Sequence, residues 1–364
     1  MSQKMENPVK FEPKLGKAQL ALLSRLTDAL AVSGDEHEVR EIVIEAVQPK
    51  ADCLEVDALG NVLVTKLGKG AERVRIMISA HMDEVGFMLI RDEGDGLFEF
   101  RVIGGIDERQ LVGKSVIVGR DHVPGVIGTK AIHLTTPEER RQILKAEQLR
   151  IDLGPGGSNL AKVGDRATFA TRLQVLGPSL RAKALDDRLG VYNLIQLVTN
   201  APENVDLLAA FTVQEELGLR GAKTAAFHFE PQIGIAMDST PANDLPDYDG
   251  QENARFNTHL DGGPAIYLMD GATLGDRRLV RWVVEAANAE KIPWQYRQPN
   301  SGGTDAGSIH LSRAGVPSIS ISVPQRYLHS AAGMVRIEDC LNTLRLMHAA
   351  LARLDTNVLN MQEN

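Results

Sequence analysis

The stretch Arg73-Val-Arg-Ile-Met-Ile-Ser-Ala80 reads as a buried strand and runs directly into His81-Met-Asp83. The same arrangement recurs three times. Val205-Asp-Leu-Leu-Ala-Ala-Phe-Thr-Val213 runs into Gln214-Glu215-Glu216, Gln232-Ile-Gly-Ile-Ala-Met237 runs into Asp238, and Val316-Pro-Ser-Ile-Ser-Ile-Ser-Val323 runs towards His329. In open α/β sheets, ligands bind in the crevice beyond the carboxyl ends of the strands. Imidazoles and carboxylates delivered there together are what a divalent-metal hydrolase needs.

Around these strands the pattern is helical. Leu20, Leu22, Leu23, Leu26, Ala29 and Leu30 give Lys17 to Ala31 an apolar helical spacing. Ser33-Gly-Asp-Glu36 has the form of a capping box and predicts a second helix through Val47. Leu54–Asp57 and Val62–Lys66, joined through Gly60-Asn61, predict a hairpin. Later helices are predicted over Asp187–Val198, Asp276–Glu290 and Val335–Leu354. Between Glu84 and Leu180 the character changes to short alternating segments: 85–90, 97–103, 114–118, 126–129 and 165–175. Turn residues such as Glu93-Gly-Asp-Gly96 and Gly154-Pro-Gly-Gly157 separate them, and one helical piece is predicted over Pro137–Gln148. Closely spaced strands with turn signals suggest a small β-barrel. The chain is therefore read as an α/β domain formed by residues 1–83 and 181–364, with a β-rich domain, 84–180, inserted into it.

Composition sets the bounds. A chain of 364 residues is long enough for two domains. It is 43% apolar and 24% charged, with a formal charge of −8, which argues against a general nucleic-acid binder. No apolar run is long enough to suggest a membrane span. The polar start, Met1 to Pro8, lacks the apolar core of a signal peptide, so a cytoplasmic protein is expected. Cys53 and Cys340 are expected to be buried free thiols.

The candidate residues gain weight jointly. His81 and Asp83 share one face of an extended segment, which suits His81 as a metal ligand and Asp83 as the acceptor of its other ring N–H. Taken alone, the pair also fits a capped strand end. Asp186-Asp187 precedes a helix and could be an N-cap with a second acid favoured by the helix dipole. A carboxylate, unlike an imidazole, could also bridge two cations. Adjacent Glu215 and Glu216 repel each other unless positive charge lies near. With a metal present they can divide the work, Glu216 coordinating and Glu215 taking a proton from water. Asp238 ends an apolar strand, where an unpaired charge is costly. His37, His122, His228, His259, His310 and His348 lie outside this pattern and read as surface or packing residues. Gly302-Gly-Thr-Asp305 reads equally as a helix cap or a substrate-contacting loop.

Several segments together resemble the M42 metallo-aminopeptidases, the tetrahedral (TET) group that includes glutamyl aminopeptidases and proteins once labelled endoglucanases. They are Ala80-His-Met-Asp-Glu-Val-Gly-Phe87, Lys183-Ala-Leu-Asp-Asp-Arg188, Gln214-Glu-Glu-Leu-Gly218 with Arg220-Gly-Ala222, Ala236-Met-Asp238, Gly302-Gly-Thr-Asp-Ala-Gly307 and Arg326-Tyr-Leu-His-Ser330. Val102-Ile-Gly-Gly105, Gly125-Val-Ile-Gly128 and His133 to Arg140 extend the likeness into the inserted block.

The resemblance implies an α/β/α sandwich with an inserted, PDZ-like barrel that serves dimerisation. It implies two divalent metals per subunit, zinc or cobalt foremost and manganese also compatible with the ligand types. His81 and Asp238 would face one metal, Glu216 and His329 the other, with Asp186 bridging and a cis peptide to Asp187. Glu215 would be the general base, and the substrates short peptides trimmed from the N-terminus. Dimers would build a hollow dodecamer; neither nucleic acid nor membrane would be a partner. Asp261 departs from the family near a position where a basic residue is frequent, and Leu185 stands where an aromatic one is common; both bear on side-chain preference. Two other readings are a glycoside hydrolase, which would leave the histidines idle, and a non-catalytic metal-binding scaffold, which would have no use for Glu215.

Overall fold

The computed structural model describes residues 11–70, 73–245, 258–298 and 302–360, so the polar segment Met1 to Pro8 lies outside it. In chain order the elements are α1 (Lys17–Asp28), α2 (His37–Val47), β1 (Cys53–Val56), β2 (Val62–Lys66) and β3 (Val74–His81). Six strands follow: β4 (Gly86–Gly94), β5 (Leu97–Ile103), β6 (Ser115–Val118), β7 (Val123–Gly128), β8 (Arg150–Asp152) and β9 (Arg166–Phe169). Then come β10 (Gln174–Leu176), β11 (Ser179–Ala182), α3 (Leu185–Thr199), β12 (Val205–Thr212), α4 (Arg220–Phe229) and β13 (Ile233–Pro241). The chain continues with β14 (Ala265–Tyr267), α5 (Arg277–Glu290), β15 (Gln295–Arg297), α6 (Ala306–Ile309), β16 (Ser318–Gln325), β17 (Gly333–Arg336) and α7 (Ile337–Ala352).

Eight strands form one mixed sheet in the order β1-β2-β12-β3-β13-β16-β14-β15. The four central strands, β12, β3, β13 and β16, run parallel. Their residues are buried on both faces, as strands with helices on each side must be. Alternation divides them: Ile76, Ile78, Leu207, Ala209 and Phe211 join the large core with α1, α2, α3, α5 and α7. Met77, Leu208 and Ala210 pack on the other face against Ala222, Ala225 and Phe229 of α4 and Ile309 of α6. Parallel register brings the carboxyl ends of these strands to one edge. Thr212 pairs with His81, and Ala236 pairs with Ser79, so continuing by two residues sets Asp238 alongside His81.

Strands β4, β5, β8, β7, β6 and β9 close into a six-stranded barrel with its own core, which includes Phe87, Phe98, Phe100 and Phe169. The barrel lies between β3 and β11 in sequence and approaches the edge of the sheet that carries His81 and Asp238 at two places described below.

Some local expectations fail. The helix predicted over Pro137–Gln148 is replaced by two single 3₁₀ turns, Glu139–Arg141 and Ala146–Gln148. The stretch has good helix formers, but it is almost wholly exposed and only Ala146 and Leu144 reach the barrel core. Without an apolar face to bury, propensity alone does not hold a helix in water. The capping box at Ser33 is also absent: α2 starts at His37 with Glu36 at its N-cap and no side-chain cap. Ser33 Oγ instead donates to Asp83 at 2.6 Å, and Glu36 accepts from the backbone N–H groups of Gly34 and Gln214. Cys340 is buried, but Cys53 is exposed, because β1 is the edge strand of the sheet and most of its side chains face solvent.

Candidate active site

His81 is the last residue of β3, and its imidazole is oriented by its own chain. Nδ1 lies 3.1 Å from the carbonyl oxygen of Asp83, which places the hydrogen on Nδ1 and aims Nε2 inward. Nε2 then sits 3.3 Å from Asp186 Oδ1 and 3.7 Å from Asp238 Oδ1. Across the cluster, His329 Nε2 lies 3.3 Å from Asp186 Oδ2 and 3.1 Å from Glu216 Oε1. Asp186 thus offers one oxygen to each imidazole. The structure brings His81, Asp186, Glu216, Asp238 and His329 together, with Glu215 beside them in the same cavity of about 630 Å³.

Asp238 falls within β13 rather than after it, since that strand continues to Pro241. Asp83 also differs from expectation. Its backbone carbonyl, not its carboxylate, makes the shorter contact to the His81 ring; the carboxylate Oδ1 is at 3.5 Å. The carboxylate instead accepts the backbone N–H groups of Glu215 at 3.0 Å and Glu216 at 3.2 Å, besides Ser33 Oγ. One side chain therefore fixes the turn that presents both glutamates.

The loops around the ligands are held in uncommon backbone conformations. Ala184, Gln214, Tyr327 and His329 all have φ between 51° and 59° without being glycine. His329 is itself a candidate ligand and the other three each lie two residues before one; such left-handed residues persist where surrounding structure over-determines them, often at functional sites. The Asp186–Asp187 peptide is cis. Asp187 turns away from the cluster's mouth, accepting from the N–H of Gly190 at 3.0 Å and of His81 at 3.3 Å.

The electrostatics call for positive charge. Asp83, Asp186, Asp187, Glu215, Glu216, Asp238 and Asp305 crowd around two imidazoles. Burial pushes the Glu215 carboxyl well above its ordinary range, with Asp238, Glu216 and Asp305 adding and His81 opposing. Burial likewise raises Asp238 to about 7 and raises Asp187 and Glu216. Burial disfavours a charged His329, yet Asp186 and Glu216 raise it to about 11. His81 is raised well above its usual value against the same desolvation, chiefly by Glu215, Asp186 and Asp238. Asp186, although buried, is held below the carboxylate range by His329 and His81.

These residues fit a divalent cation. Asp186 Oδ1 is buried without a hydrogen-bond partner among the described residues. His81, Asp187 and Asp238 form one compact donor group, and His81, Asp186 and Glu216 another. Tetrahedral ligation at about 2.0–2.1 Å puts neighbouring donors about 3.3 Å apart, and the four contacts above span 3.1–3.7 Å. The donor set of imidazole nitrogen and carboxylate oxygen suits zinc-like ions.

The sequence reading passed over a buried knot behind the ligands. The Glu84 carboxylate accepts from Lys183 Nζ at 2.8 Å, Arg188 Nη2 at 3.2 Å and Thr168 Oγ1 at 2.6 Å. Arg188 also donates to the Asp83 carbonyl at 3.1 Å. Thr168 belongs to barrel strand β9, so this knot joins the barrel to residues flanking Asp83 and Asp186. A second approach is made by Gly104-Gly105. A Cβ on Gly104, whose φ is +81°, would lie 2.7 Å from Val85 Cγ1 and 3.4 Å from Glu216 Cβ, and one on Gly105 would lie 3.4 Å from His329 Nδ1. Asp305, flagged only as part of a loop, is buried and accepts from Thr212 Oγ1 at 2.6 Å. Its signal was the Gly302-Gly-Thr-Asp305 stretch itself. The remaining histidines keep to other tasks; His122 meets Glu38, His310 bonds the Ala306 carbonyl, and His348 stacks on Phe11.

The sequence profile of the M42 glutamyl aminopeptidase family matches residues 60–346. A glutamyl aminopeptidase of Lactococcus lactis is 31% identical, over 91% of this chain and 95% of its own. A lysyl aminopeptidase of Pyrococcus furiosus is 29% identical, over 92% and 96%. Among solved structures, a TET aminopeptidase from a marine-sediment Thaumarchaeota archaeon superimposes with a TM-score of 0.89 at 33% identity, covering 94% of this chain and 98% of its own. The TET1 peptidase of Pyrococcus horikoshii, described as assembling into a tetrahedron or a large octahedral shell, gives 0.80 at 33% identity, over 92% and 100%.

Proposed function

The chain belongs to the M42 glutamyl aminopeptidase family and is a metal-dependent aminopeptidase; from that premise we propose that it removes N-terminal residues from short peptides with two divalent metals and Glu215 as the general base. The observation that supports this most is the convergence on Asp186, whose two carboxylate oxygens each face a different imidazole at 3.3 Å. His81 and Asp238 would hold one cation and Glu216 and His329 the other, with Asp186 shared. Zinc or cobalt suits these donors, and manganese is compatible. Bound cations would supply Lewis-acid polarisation of the scissile carbonyl and an acidified water.

The protein's own groups do the rest. Asp83 fixes the backbone of Glu215 and Glu216 through two N–H bonds. Glu215, deep in the cavity and outside the set assigned to the cations, takes the proton of the attacking water. From there it can pass the same proton to the departing amine, as a single acid–base group does.

We assign residues 84–180, read as PDZ-like, to dimerisation, and infer assembly of dimers into a closed dodecamer in the cytoplasm. Support comes from the assemblies of the relatives and from exposed apolar side chains on this block, including Ile132, Leu134 and Leu160. No helix among the described residues is long and apolar enough to cross a membrane.

A panel of aminoacyl p-nitroanilides, with and without added zinc or cobalt, tests the function. Metal-dependent release of nitroaniline supports it. Hydrolysis of a cellulose oligomer in place of the anilides would replace it with the glycosidase reading, and binding of metal with no turnover would replace it with the scaffold.

A further inference from the structure

The two imidazoles of the cluster are not held alike. The His81 ring is oriented through Nδ1 by the Asp83 carbonyl. The His329 ring has no such partner among the described residues. Its polar contacts are those of Nε2 with Asp186 and Glu216, and Nδ1 lies beside Gly105, 3.4 Å from where a Cβ there would stand. A ligand ring usually takes its orientation from a hydrogen bond on the nitrogen that does not meet the metal. For His329 that task falls to the loop that carries it.

That loop, residues 327–333, needs support from outside. Tyr327 and His329 have left-handed φ angles of 59° and 55°, which a residue with a Cβ adopts at a cost. Its ends are closed on the main chain, since Arg326 and Met334 exchange N–H···O bonds at 2.9 and 3.0 Å. One root is tied to the Asp186 side, because Gly333 pairs with Ala182 of β11, four residues before Asp186. The other root is tied to the Asp238 side. There β16 runs in register with β13, from Ser322 opposite Asp238 to Gln325 opposite Pro241. The Ala242 N–H adds a last bond to the Gln325 carbonyl at 2.8 Å. Just past it, the Arg326 guanidinium closes on the Asp244 carboxylate, Nε donating to Oδ1 at 2.6 Å and Nη2 to Oδ2 at 2.9 Å.

Asp244 is anchored from its far side as well. Its Oδ2 also accepts the Leu260 N–H at 3.1 Å, and the Asn243 N–H donates to the Thr258 carbonyl at 3.1 Å. The Arg326 and Asp244 side chains are largely shielded, at 28% and 15% exposed. A planar two-point pair fixes direction as well as distance; a lysine supplies the charge but not the fork.

We propose that Arg326 is a positioning residue of the metal centre: its two-point pair with Asp244 braces the His329 loop against the strand that carries Asp238, and so sets the spacing of the two cation positions. This rests on the two-metal reading given above. The brace touches neither cation and reaches the chemistry through His329. Weakening it should loosen the cation held by Glu216 and His329 and spare the one held by His81 and Asp238.

The test is zinc binding to the chelated and dialysed protein, followed by competition with a chelating dye, in Arg326→Gln, Asp244→Asn and the double variant. Fewer than two zinc ions bound by the parent protein overturns the two-metal reading, and this inference with it. Given two, one dissociation constant should weaken about 10–100-fold in each single variant, while the other stays within about twofold. The double variant should be no weaker than either single one, because both changes break the same contact. Arg326→Lys should lie between the parent and Arg326→Gln. Adding Arg326→Gln to His81→Ala should weaken the cation that remains, and adding it to His329→Ala should not. Turnover at limiting zinc should fall and recover with excess zinc, with KM little changed. A merely structural role would weaken both cations together, or make the losses of the two single variants add. Either of those results, or unchanged affinities in Arg326→Gln, overturns the inference and leaves the aminopeptidase standing. Should Arg326→Gln fail to fold, Asp244→Asn and Arg326→Lys carry the same comparison.

Discussion

The Asp83 carboxylate accepts the backbone N–H of Glu215 at 3.0 Å while the Asp83 carbonyl orients the ring of His81. A single residue thereby sets the geometry between one ligand and the proposed base. Asp83→Asn would replace an acceptor oxygen with an amide that faces another donor. Such supporting contacts are worth about 10–100-fold in metal affinity. We expect that loss in a competition titration against a chelating dye, with the fold retained by circular dichroism.

Glu215→Gln tests the base itself. Glu215 is outside the proposed ligand set, so the variant should retain both metals by elemental analysis. Turnover should fall about 10²–10⁴-fold. Near-normal peptidase activity in the metal-replete variant would remove Glu215 from the mechanism.

Asp186 and His81 should differ in metal stoichiometry. Asp186 faces both imidazoles, so Asp186→Ala should lose metal from both positions. His81→Ala should lose it mainly from one. Full occupancy in dialysed Asp186→Ala would contradict a bridging role.

The metal-free protein should become less stable as pH rises from about 6.5 to 9. His81 and His329 have folded-state proton affinities above their ordinary values, with His329 at about 11. A raised group contributes stability that is complete below its unfolded value, about 6.5, and is lost as pH climbs towards its folded value. Metal binding must displace these protons, about two to three per pair of cations when Asp238 is included. Thermal midpoints of the chelated protein should therefore fall over this range while those of the loaded protein do not. Calorimetric titrations in buffers of different ionisation enthalpy at pH 7 should register proton release; a result independent of buffer would contradict this charge balance.

Light scattering bears on assembly. A particle of twelve subunits is expected for the metal-loaded protein. A monomer at micromolar concentration that still cleaves short peptides would take the shell out of the mechanism and leave the chemistry intact.

The clustering of the proposed ligands was legible because four buried strands each lead into or towards a polar residue of the right kind, and a parallel sheet collects such ends at one edge. His81, Glu216, Asp238 and His329 needed no alignment to be grouped. Asp83 was harder. Its position was evident, but whether its carbonyl or its carboxylate meets His81 depends on a turn that no spacing encodes. Ser33 misled because a capping box and a hydrogen bond to a distant carboxylate use the same residue types. Arg297, in the wall of the cavity, was invisible: Gln295-Tyr-Arg297 is an ordinary short strand, and only the pairing of β15 with β14 brings it to Tyr267 and Thr240. Pro137–Gln148 failed in the opposite way, since its helix formers had nothing to pack on.

The insertion also orders the birth of the protein. The barrel is one continuous stretch, Gly86–Phe169, and can close as soon as it leaves the ribosome. Strand β3, made before it, has both its neighbours, β12 and β13, made after it. The parent sheet therefore waits, and its non-local pairings are the slow ones. The last proposed ligand, His329, follows β16, the last of the four central strands to be made. A nascent subunit can thus close its barrel well before all the proposed ligands of a cation have been made.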